Sequence, residues 1–127
     1  MTAVVLDASA MLALFHREPG AAIVAAHAAT ASVSSVTLAE VAGKMSDFGL
    51  EDDVIESAIK DMSLSVIEFD REAALSSGKL RRATRFLGLS LGDRACLALA
   101  LSLGAPVLTA DRAWARLRLP IEIRLIR

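Results

Sequence analysis

The fold is decided by the segment Ser90-Leu91-Gly92-Asp93-Arg94-Ala95-Cys96-Leu97-Ala98-Leu99-Ala100, which is followed by Pro106-Val107-Leu108-Thr109-Ala110-Asp111. The first segment predicts a helix that opens with one carboxylate and is otherwise apolar. The second predicts a short buried strand that ends on another carboxylate. An apolar helix leading into an apolar strand is half of a βαβ unit, and such a helix is buried on most of its faces. We therefore expect Asp93 and Asp111 at the rim of an apolar layer.

Strands and helices alternate along the rest of the chain. The predicted strands are 3–6, 32–34, 64–69, 106–109 and 121–126. The predicted helices are 10–15, 21–29, 37–47, 51–62, 71–86, 91–103 and 112–117. This alternation predicts an α/β fold with three αβα layers, in which helices cover both faces of a mostly parallel sheet of about five strands. The length of 127 residues suits one domain, residues 1–127.

Local signals mark several helix starts. Thr37-x-x-Glu40 and Ser90-x-x-Asp93 both match the capping-box pattern, and Asp70 is expected to cap helix 71–86. In helix 51–62 the apolar stripe consists of Val54, Ile55, Ala58, Ile59 and Met62. In helix 71–86 the residues expected to face inward are Ala73, Ala74, Leu75, Leu80 and Ala83.

Four acids fall where the predicted chain direction changes: Asp7, Glu40, Asp93 and Asp111. Ligands of parallel α/β sheets bind beyond the carboxyl ends of the strands, so all four can face one crevice. Clustered carboxylates repel one another unless a cation is present, and oxygen ligands favour Mg²⁺ or Mn²⁺ over zinc. The alternative is that each acid only caps a helix.

Composition narrows the class of protein. Apolar residues make up 54% of the chain, the formal net charge is −1, and Cys96 is the only cysteine. An internal disulfide is therefore excluded, and Cys96 is expected in the core. No run of about 20 strongly apolar residues occurs, which predicts a cytoplasmic protein without a membrane segment. The net charge offers no overall attraction for nucleic acid.

Each of the four acids lies in a short characteristic segment. These segments are Val5-Leu6-Asp7-Ala8-Ser9-Ala10, Thr37-Leu38-Ala39-Glu40-Val41, Leu91-Gly92-Asp93-Arg94-Ala95-Cys96-Leu97-Ala98-Leu99-Ala100 and Val107-Leu108-Thr109-Ala110-Asp111-Arg112-Ala113-Trp114. In these segments the chain resembles the PIN-domain ribonucleases, and in particular the VapC-type toxins of bacterial toxin–antitoxin pairs. The resemblance extends over the whole chain in order and length.

The resemblance implies a Mg²⁺- or Mn²⁺-dependent endoribonuclease that acts on structured RNA. The implied metal ligands and catalytic residues are Asp7, Glu40, Asp93 and Asp111, and the metal would activate a water molecule. The resemblance also implies a homodimer and a cognate antitoxin of the VapB type, whose flexible tail lies over the groove.

Supporting roles are expected for residues beside the acids. Ser9 and Thr109 can orient a ligand or a water, although Ser9 can equally cap a helix. Arg94 and Arg112 can pair with the acids or touch phosphate, although a purely structural pairing fits Arg94 as well. The basic run Lys79–Arg85 either follows an RNA backbone or is simply solvated. With Trp114 the only tryptophan and no tyrosine, stacking of bases on aromatic residues is not expected.

Of three other classes of protein, one remains open, and the sequence disfavours the other two. A catalytically silent PIN-fold protein that binds RNA or acts as a scaffold would keep the same fold. A phosphorelay receiver would need a lysine near its last strands, and none follows the fourth or fifth strand. A phosphatase with an aspartyl nucleophile would need a second acid two residues after Asp7, where Ser9 stands.

Overall fold

A computed structural model describes residues 3–127, so residues 1 and 2 of the predicted domain lie outside the described part. The strands are β1 (Val4–Leu6), β2 (Ala31–Ser34), β3 (Ser65–Ile67), β4 (Val107–Thr109) and β5 (Ile123–Leu125). The helices are α1 (Ala8–His16), α2 (Ala21–His27), α3 (Ser35–Asp47), α4 (Asp52–Asp61), α5 (Arg71–Lys79), α6 (Arg81–Thr84) and α7 (Leu91–Leu103). Three 3-10 helices are Ala28–Thr30, Arg85–Leu87 and Arg112–Arg116.

The five strands form one sheet in the order β3-β2-β1-β4-β5, and every pairing is parallel. In the central strand, Val5 lies opposite Ser32 on one side and opposite Val107 on the other. This confirms the predicted parallel sheet. Because the strands are parallel, their carboxyl ends share one edge, and Asp7 and Asp111 follow β1 and β4 at that edge.

Two apolar cores lie on opposite faces of the sheet, as the period of two along a strand requires. Val4 and Leu6 pack into a core with α1 to α4, whose buried members include Met11 and Met45. Val5 faces the other core, which contains most of α7. The three-layer α/β architecture is therefore confirmed.

Helix α7 is the most deeply buried helix of the fold, and its predicted bounds agree with the structure. Ser90 caps it in a full capping box with Asp93, and Gly104 ends it in a left-handed conformation at φ 61. Cys96 is fully buried inside it, as predicted. Trp114, which is 1% exposed, anchors the 3-10 helix Arg112–Arg116 to the same core.

Helix 71–86 is wrong as a single helix, because the structure divides it into α5, α6 and the 3-10 helix Arg85–Leu87. The buried face consists of Ser77, Leu80 and Thr84, whereas Ala74, Leu75 and Ala83 are exposed. The hydroxyl of Thr84 donates to the Leu80 carbonyl at 2.8 Å, a side-chain bond that competes with regular helical bonding. The inward position predicted for Leu80 is confirmed, and those predicted for Ala74, Leu75 and Ala83 are wrong.

The start of α3 also differs from its prediction. The helix begins at Ser35, and the Ser34 hydroxyl accepts the Val36 N–H at 3.1 Å. The predicted capping box of Thr37 and Glu40 is wrong, since Thr37 lies inside the helix and is 1% exposed. Glu40 therefore belongs to the second turn, and its carboxylate is not used in the cap.

Smaller differences concern element ends and faces. The outer strands are shorter than predicted, and β3 is exposed along its whole length. Val54 in α4 is 48% exposed, so it does not belong to the predicted apolar stripe, whereas Ile55 does. Among residues 3–127, no helix has the length and apolar character that crossing a membrane requires.

Candidate functional site

Asp7 is the most buried carboxylate at the carboxyl edge of the sheet, with an exposed fraction of 5%. It caps α1, because its Oδ1 accepts the Ala10 N–H at 2.8 Å. The same oxygen accepts the Ser9 hydroxyl at 2.7 Å, and its Oδ2 accepts the Thr109 hydroxyl. Two donors from α1 and one from β4 thus hold this carboxylate in one orientation.

Burial raises the pKa of Asp7 above its usual value, since the surroundings disfavour a charged group. The hydrogen bonds from Thr109, Ser9 and Ala10 oppose this effect by favouring the carboxylate. The negative charge of Asp93 raises the pKa further. Asp7 is therefore a carboxylate that a nearby cation would stabilise.

Ser9 and Thr109 join the ends of β1 and β4. Besides donating to Asp7, the Ser9 oxygen accepts the Ala110 N–H at 2.9 Å, and the Thr109 oxygen accepts the Asp111 N–H at 3.0 Å. The two hydroxyl oxygens lie 3.3 Å apart. The backbone that carries Asp111 is thereby fixed relative to Asp7.

Asp93 and Asp111 both act as helix-start residues. Asp93 Oδ2 accepts the Ser90 N–H at 3.0 Å, and Asp111 Oδ1 accepts the Ala113 N–H at 3.0 Å. Capping, the alternative interpretation of the acids, is thus observed for Asp7, Asp93 and Asp111. A cap uses only part of the bonding capacity of a carboxylate, so capping and ligand binding do not exclude each other.

Glu40 reaches the site from α3 and lies directly against Gly92 of α7. A Cβ at position 92 would overlap Glu40 Oε1, so glycine lets the carboxylate lie here without a shift of the Glu40 side chain. Partial burial raises the pKa of Glu40, the charge of Asp93 raises it further, and Lys44 lowers it. The role of Gly92 in this contact is invisible in the sequence, because the two residues are far apart in the chain.

One open cavity of about 370 Å³ contains all four acids. The residues that line it are Asp7, Ala8, Ser9, Leu12, His16, Glu18, Glu40, Lys44, Phe48, Asp93, Asp111 and Arg127. We call this space the acid cavity. Asp7 is buried, Glu40 and Asp93 are half-buried, and Asp111 is exposed, so the cavity opens toward Asp111.

The acid cavity is also lined by residues that the sequence analysis did not select. Lys44 and Arg127 contribute two cations, and Arg127 Nη1 donates to Glu18 Oε1 at 3.2 Å. Phe48 is 61% exposed, and its ring contacts that of His16 edge to face at 4.7 Å between centroids. The sequence argument against aromatic stacking considered tryptophan and tyrosine, and so it overlooked this exposed phenylalanine.

The two arginines that were given supporting roles lie elsewhere. Arg94 is only 8% exposed, and its Nη1 donates to the Ser77 carbonyl at 3.1 Å, which joins α7 to α5. Arg112 is exposed. Neither is among the residues that line the acid cavity.

The donor set of the acid cavity fits a hard divalent cation. All four acids supply oxygen. Burial raises the pKa of Asp7 and of Glu40, and the negative charge of Asp93 raises both further. Within residues 3–127, however, no three acidic, histidine or cysteine side chains stand close enough to hold one ion together. The side chains of Glu40, Asp93 and Asp111 therefore have to move inward around an ion.

Known structures share this architecture. DNA-bound VapBC from Salmonella typhimurium matches with a TM-score of 0.76 at 20% identity, and covers 100% of both chains. VapBC2 from Rickettsia felis, bound to a promoter DNA fragment, gives 0.76 at 17% identity over 98% of each chain. VapBC-5 from Mycobacterium tuberculosis gives 0.59 at 23% identity, over 100% of this chain and 99% of the other.

Sequence comparison assigns the family. No curated protein sequence matches the chain. The family model for the PIN domain matches residues 4–119, a range that includes all four acids of the cavity. The parallel five-stranded sheet, the acid cavity at its carboxyl edge and this match lead to one conclusion: the chain belongs to the PIN domain family.

Proposed function

We propose that the chain, as one PIN domain, is a Mg²⁺- or Mn²⁺-dependent endoribonuclease and acts as the toxin of a VapBC-type toxin–antitoxin pair. The observation that carries this proposal is the convergence of Asp7, Glu40, Asp93 and Asp111 on one cavity. Those four carboxylates would hold the metal. The names of the similar structures, which are VapBC complexes, support the toxin assignment.

A bound divalent ion would supply a water of lowered pKa and positive charge against the scissile phosphate. The chain itself contributes the orientation of Asp7, which Ser9 and Thr109 hold by hydrogen bonds. Glu40 brings a partly accessible carboxylate to the same cavity, where it would serve as a ligand of the ion. Lys44 and Arg127 at the rim are positioned to attract the RNA phosphates.

A cysteine nucleophile does not compete with this mechanism. Cys96 is completely buried, and burial raises the pKa of its thiol well above the usual value. The charges of Asp7, Asp93 and Glu40 raise it further. Cys96 therefore stays protonated as a thiol, whereas a covalent mechanism would need the thiolate.

The partners are part of the same proposal. We propose a VapB-type antitoxin that covers the acid cavity, a homodimer, and a cytoplasmic location where RNA is available. The cavity's four carboxylates would attract an arginine or lysine of the antitoxin, which then competes with the metal. Exposed apolar residues such as Leu75 and Leu103 offer surface for association.

The experiment is cleavage of a labelled, structured RNA by the purified chain, with Mg²⁺ or with EDTA. Cleavage should require the metal, and Asp7→Asn and Asp93→Asn should each suppress it at least 100-fold. Glu56→Gln, which neutralises an exposed acid on α4, is the matched control and should cleave normally. Metal-independent cleavage, or full cleavage by Asp93→Asn, would refute the assignment.

A catalytically silent RNA-binding protein is the second candidate function. It is favoured by one observation: within residues 3–127 the acids are not gathered closely enough to hold an ion without moving. This candidate predicts RNA binding in both buffers and cleavage in neither. Co-expression with the antitoxin separates the two candidate functions further. Only a nuclease would arrest growth when expressed alone, and only then would the antitoxin relieve the arrest.

A further inference from the structure

We propose that a basic surface outside the acid cavity binds the backbone of single-stranded RNA and stacks one of its bases on Phe86. The proposal rests on the nuclease function proposed above and adds a second contact region, which would bind the unpaired segments of its structured RNA substrate. The basic surface consists of the cations of residues 79–85 and 112–118: Lys79, Arg81, Arg82, Arg85, Arg112, Arg116 and Arg118.

All the charged residues of the basic surface are positive. It holds seven of the chain's 14 Lys and Arg residues and none of its 15 Asp and Glu residues. No acid occurs between Glu72 and Asp93, or between Asp111 and Glu122. A chain with a net charge of −1 has therefore concentrated half of its cations in two short segments.

These cations are available to a ligand. All seven are exposed. The ion pairs within residues 3–127 are Arg124 with Glu122 and Arg127 with Glu18, so no cation of the basic surface has an acidic partner. Exposed cations without internal partners are free to replace the counterions of a polyanion.

The two segments face each other across a groove of about 810 Å³. Ala83 and Phe86 line it from one side, and Ala115, Arg116, Leu117 and Arg118 line it from the other. Lys79, Arg81, Arg82 and Arg85 line a second depression of about 510 Å³. The cations thus border concave surfaces wide enough for a nucleic acid strand.

Phe86 supplies what distinguishes a single-stranded nucleic acid from polyanions that have no bases. Its side chain is 55% exposed, and the guanidinium carbon of Arg116 lies 5.7 Å from the centre of its ring. An exposed aromatic ring therefore lies beside a cation, and single-stranded nucleic acids bind to such rings by base stacking. An acidic peptide has no base to place there.

The basic surface begins at the rim of the acid cavity. Asp111 directly precedes the 3-10 helix Arg112–Arg116, and the 3-10 helix Arg85–Leu87 precedes the cap of α7, which carries Asp93. A 3-10 helix rises about 2 Å per residue, so the backbone of Arg116 lies roughly 10 Å from that of Asp111. A strand bound along the basic surface is therefore led toward the acids. A second copy of this chain would meet its own positive charge there and be repelled.

The test measures RNA binding by the full chain in EDTA, so that cleavage plays no part. The probe is a fluorescently labelled, unstructured RNA of about 20 nucleotides, followed by anisotropy over a salt series. The double variant Arg82→Gln/Arg116→Gln removes two phosphate contacts. It should weaken binding about 25-fold at about 0.1 M salt and reduce the slope of log K against log salt by about 1.4.

Phe86→Leu separates stacking from charge. It keeps an apolar side chain and should weaken binding at least about 5-fold, with the salt slope unchanged. Lys60→Gln/Arg71→Gln removes two exposed cations outside the basic surface and is the charge-matched control, expected to bind as the parent does.

Three results would overturn the proposal. The first is an equal loss of affinity in the double variant and in its control. The second is parent-like binding by Phe86→Leu. The third is equal affinity of the parent for a polyglutamate peptide of matched charge, which would assign the surface to an acidic protein. A parent chain that binds RNA here but never cleaves it with Mg²⁺ would refute the nuclease and retain the basic surface.

Discussion

Replacing Thr109 by valine should destabilise the fold by about 2 kcal/mol at neutral pH. The Thr109 hydroxyl, fully buried, donates to Asp7 Oδ2 and accepts the Asp111 N–H at 3.0 Å. Valine has the same shape, so no cavity forms, but both bonds are lost. A hydrogen bond to a charged group is worth about 1.5–3 kcal/mol, and for a domain of this size the melting temperature should fall by roughly 8 °C.

This loss should depend on pH in a defined direction. Burial already raises the pKa of Asp7, and removing the Thr109 bond, which opposes that effect, raises it further. Below the raised pKa, folded Asp7 is protonated and no longer needs a donor at Oδ2. The difference in stability between parent and Thr109→Val should therefore be full above the raised pKa of Asp7 and shrink as the pH falls through it.

The assay is denaturant unfolding of the parent and both variants at about pH 8 and pH 5, without metal. Thr84→Val is the matched control. The buried Thr84 hydroxyl donates to the neutral Leu80 carbonyl at 2.8 Å, and that carbonyl also accepts the Thr84 backbone N–H at 3.1 Å, a bond that the variant retains. It should cost about 1 kcal/mol or less at both pH values. Equal and pH-independent losses for the two variants would refute the argument that Thr109 acts by stabilising the Asp7 carboxylate.

Further predictions concern the metal and the buried arginine. Mg²⁺ or Mn²⁺ should raise the melting temperature of the parent but not of Asp93→Asn, and an unchanged rise in that variant would remove Asp93 from the ligand set. Because the pKa values of Asp7 and Glu40 are raised, protons compete with the ion, and this metal-induced rise should shrink as the pH falls through them. A rise that stays constant over the pH range in which these two carboxyl groups take up protons would contradict this. Arg94→Met should change the free energy of unfolding by no more than about 1 kcal/mol and the cleavage rate by no more than a few-fold, because within residues 3–127 Arg94 is a buried cation without an acidic partner. Loss of cleavage in a folded variant would instead give Arg94 a part in the site.

Local sequence patterns predicted the order of the elements well, for a physical reason. Strands buried on both faces are apolar throughout, and α7 is apolar on almost every side, so both are visible as continuous apolar runs. The capping box of Ser90 and Asp93 is a contact between neighbours in the chain, and it was found correctly. The same pattern at Thr37 and Glu40 was misleading, because Ser34 is an equally good cap and lies closer to the end of β2.

The sequence by itself determined the alternation of strands and helices, the parallel sheet and the carboxyl edge at which Asp7 and Asp111 stand, since each depends on periodicity and chain direction. Only the tertiary structure decided how the acid cavity is built. The Glu40 carboxylate lies directly against Gly92 of another helix, and Asp7 is held by a hydroxyl from β4. The arrangement of Phe86 beside Arg116 has the same origin. Contacts between residues far apart in the chain leave no local pattern, so packing alone brings them together.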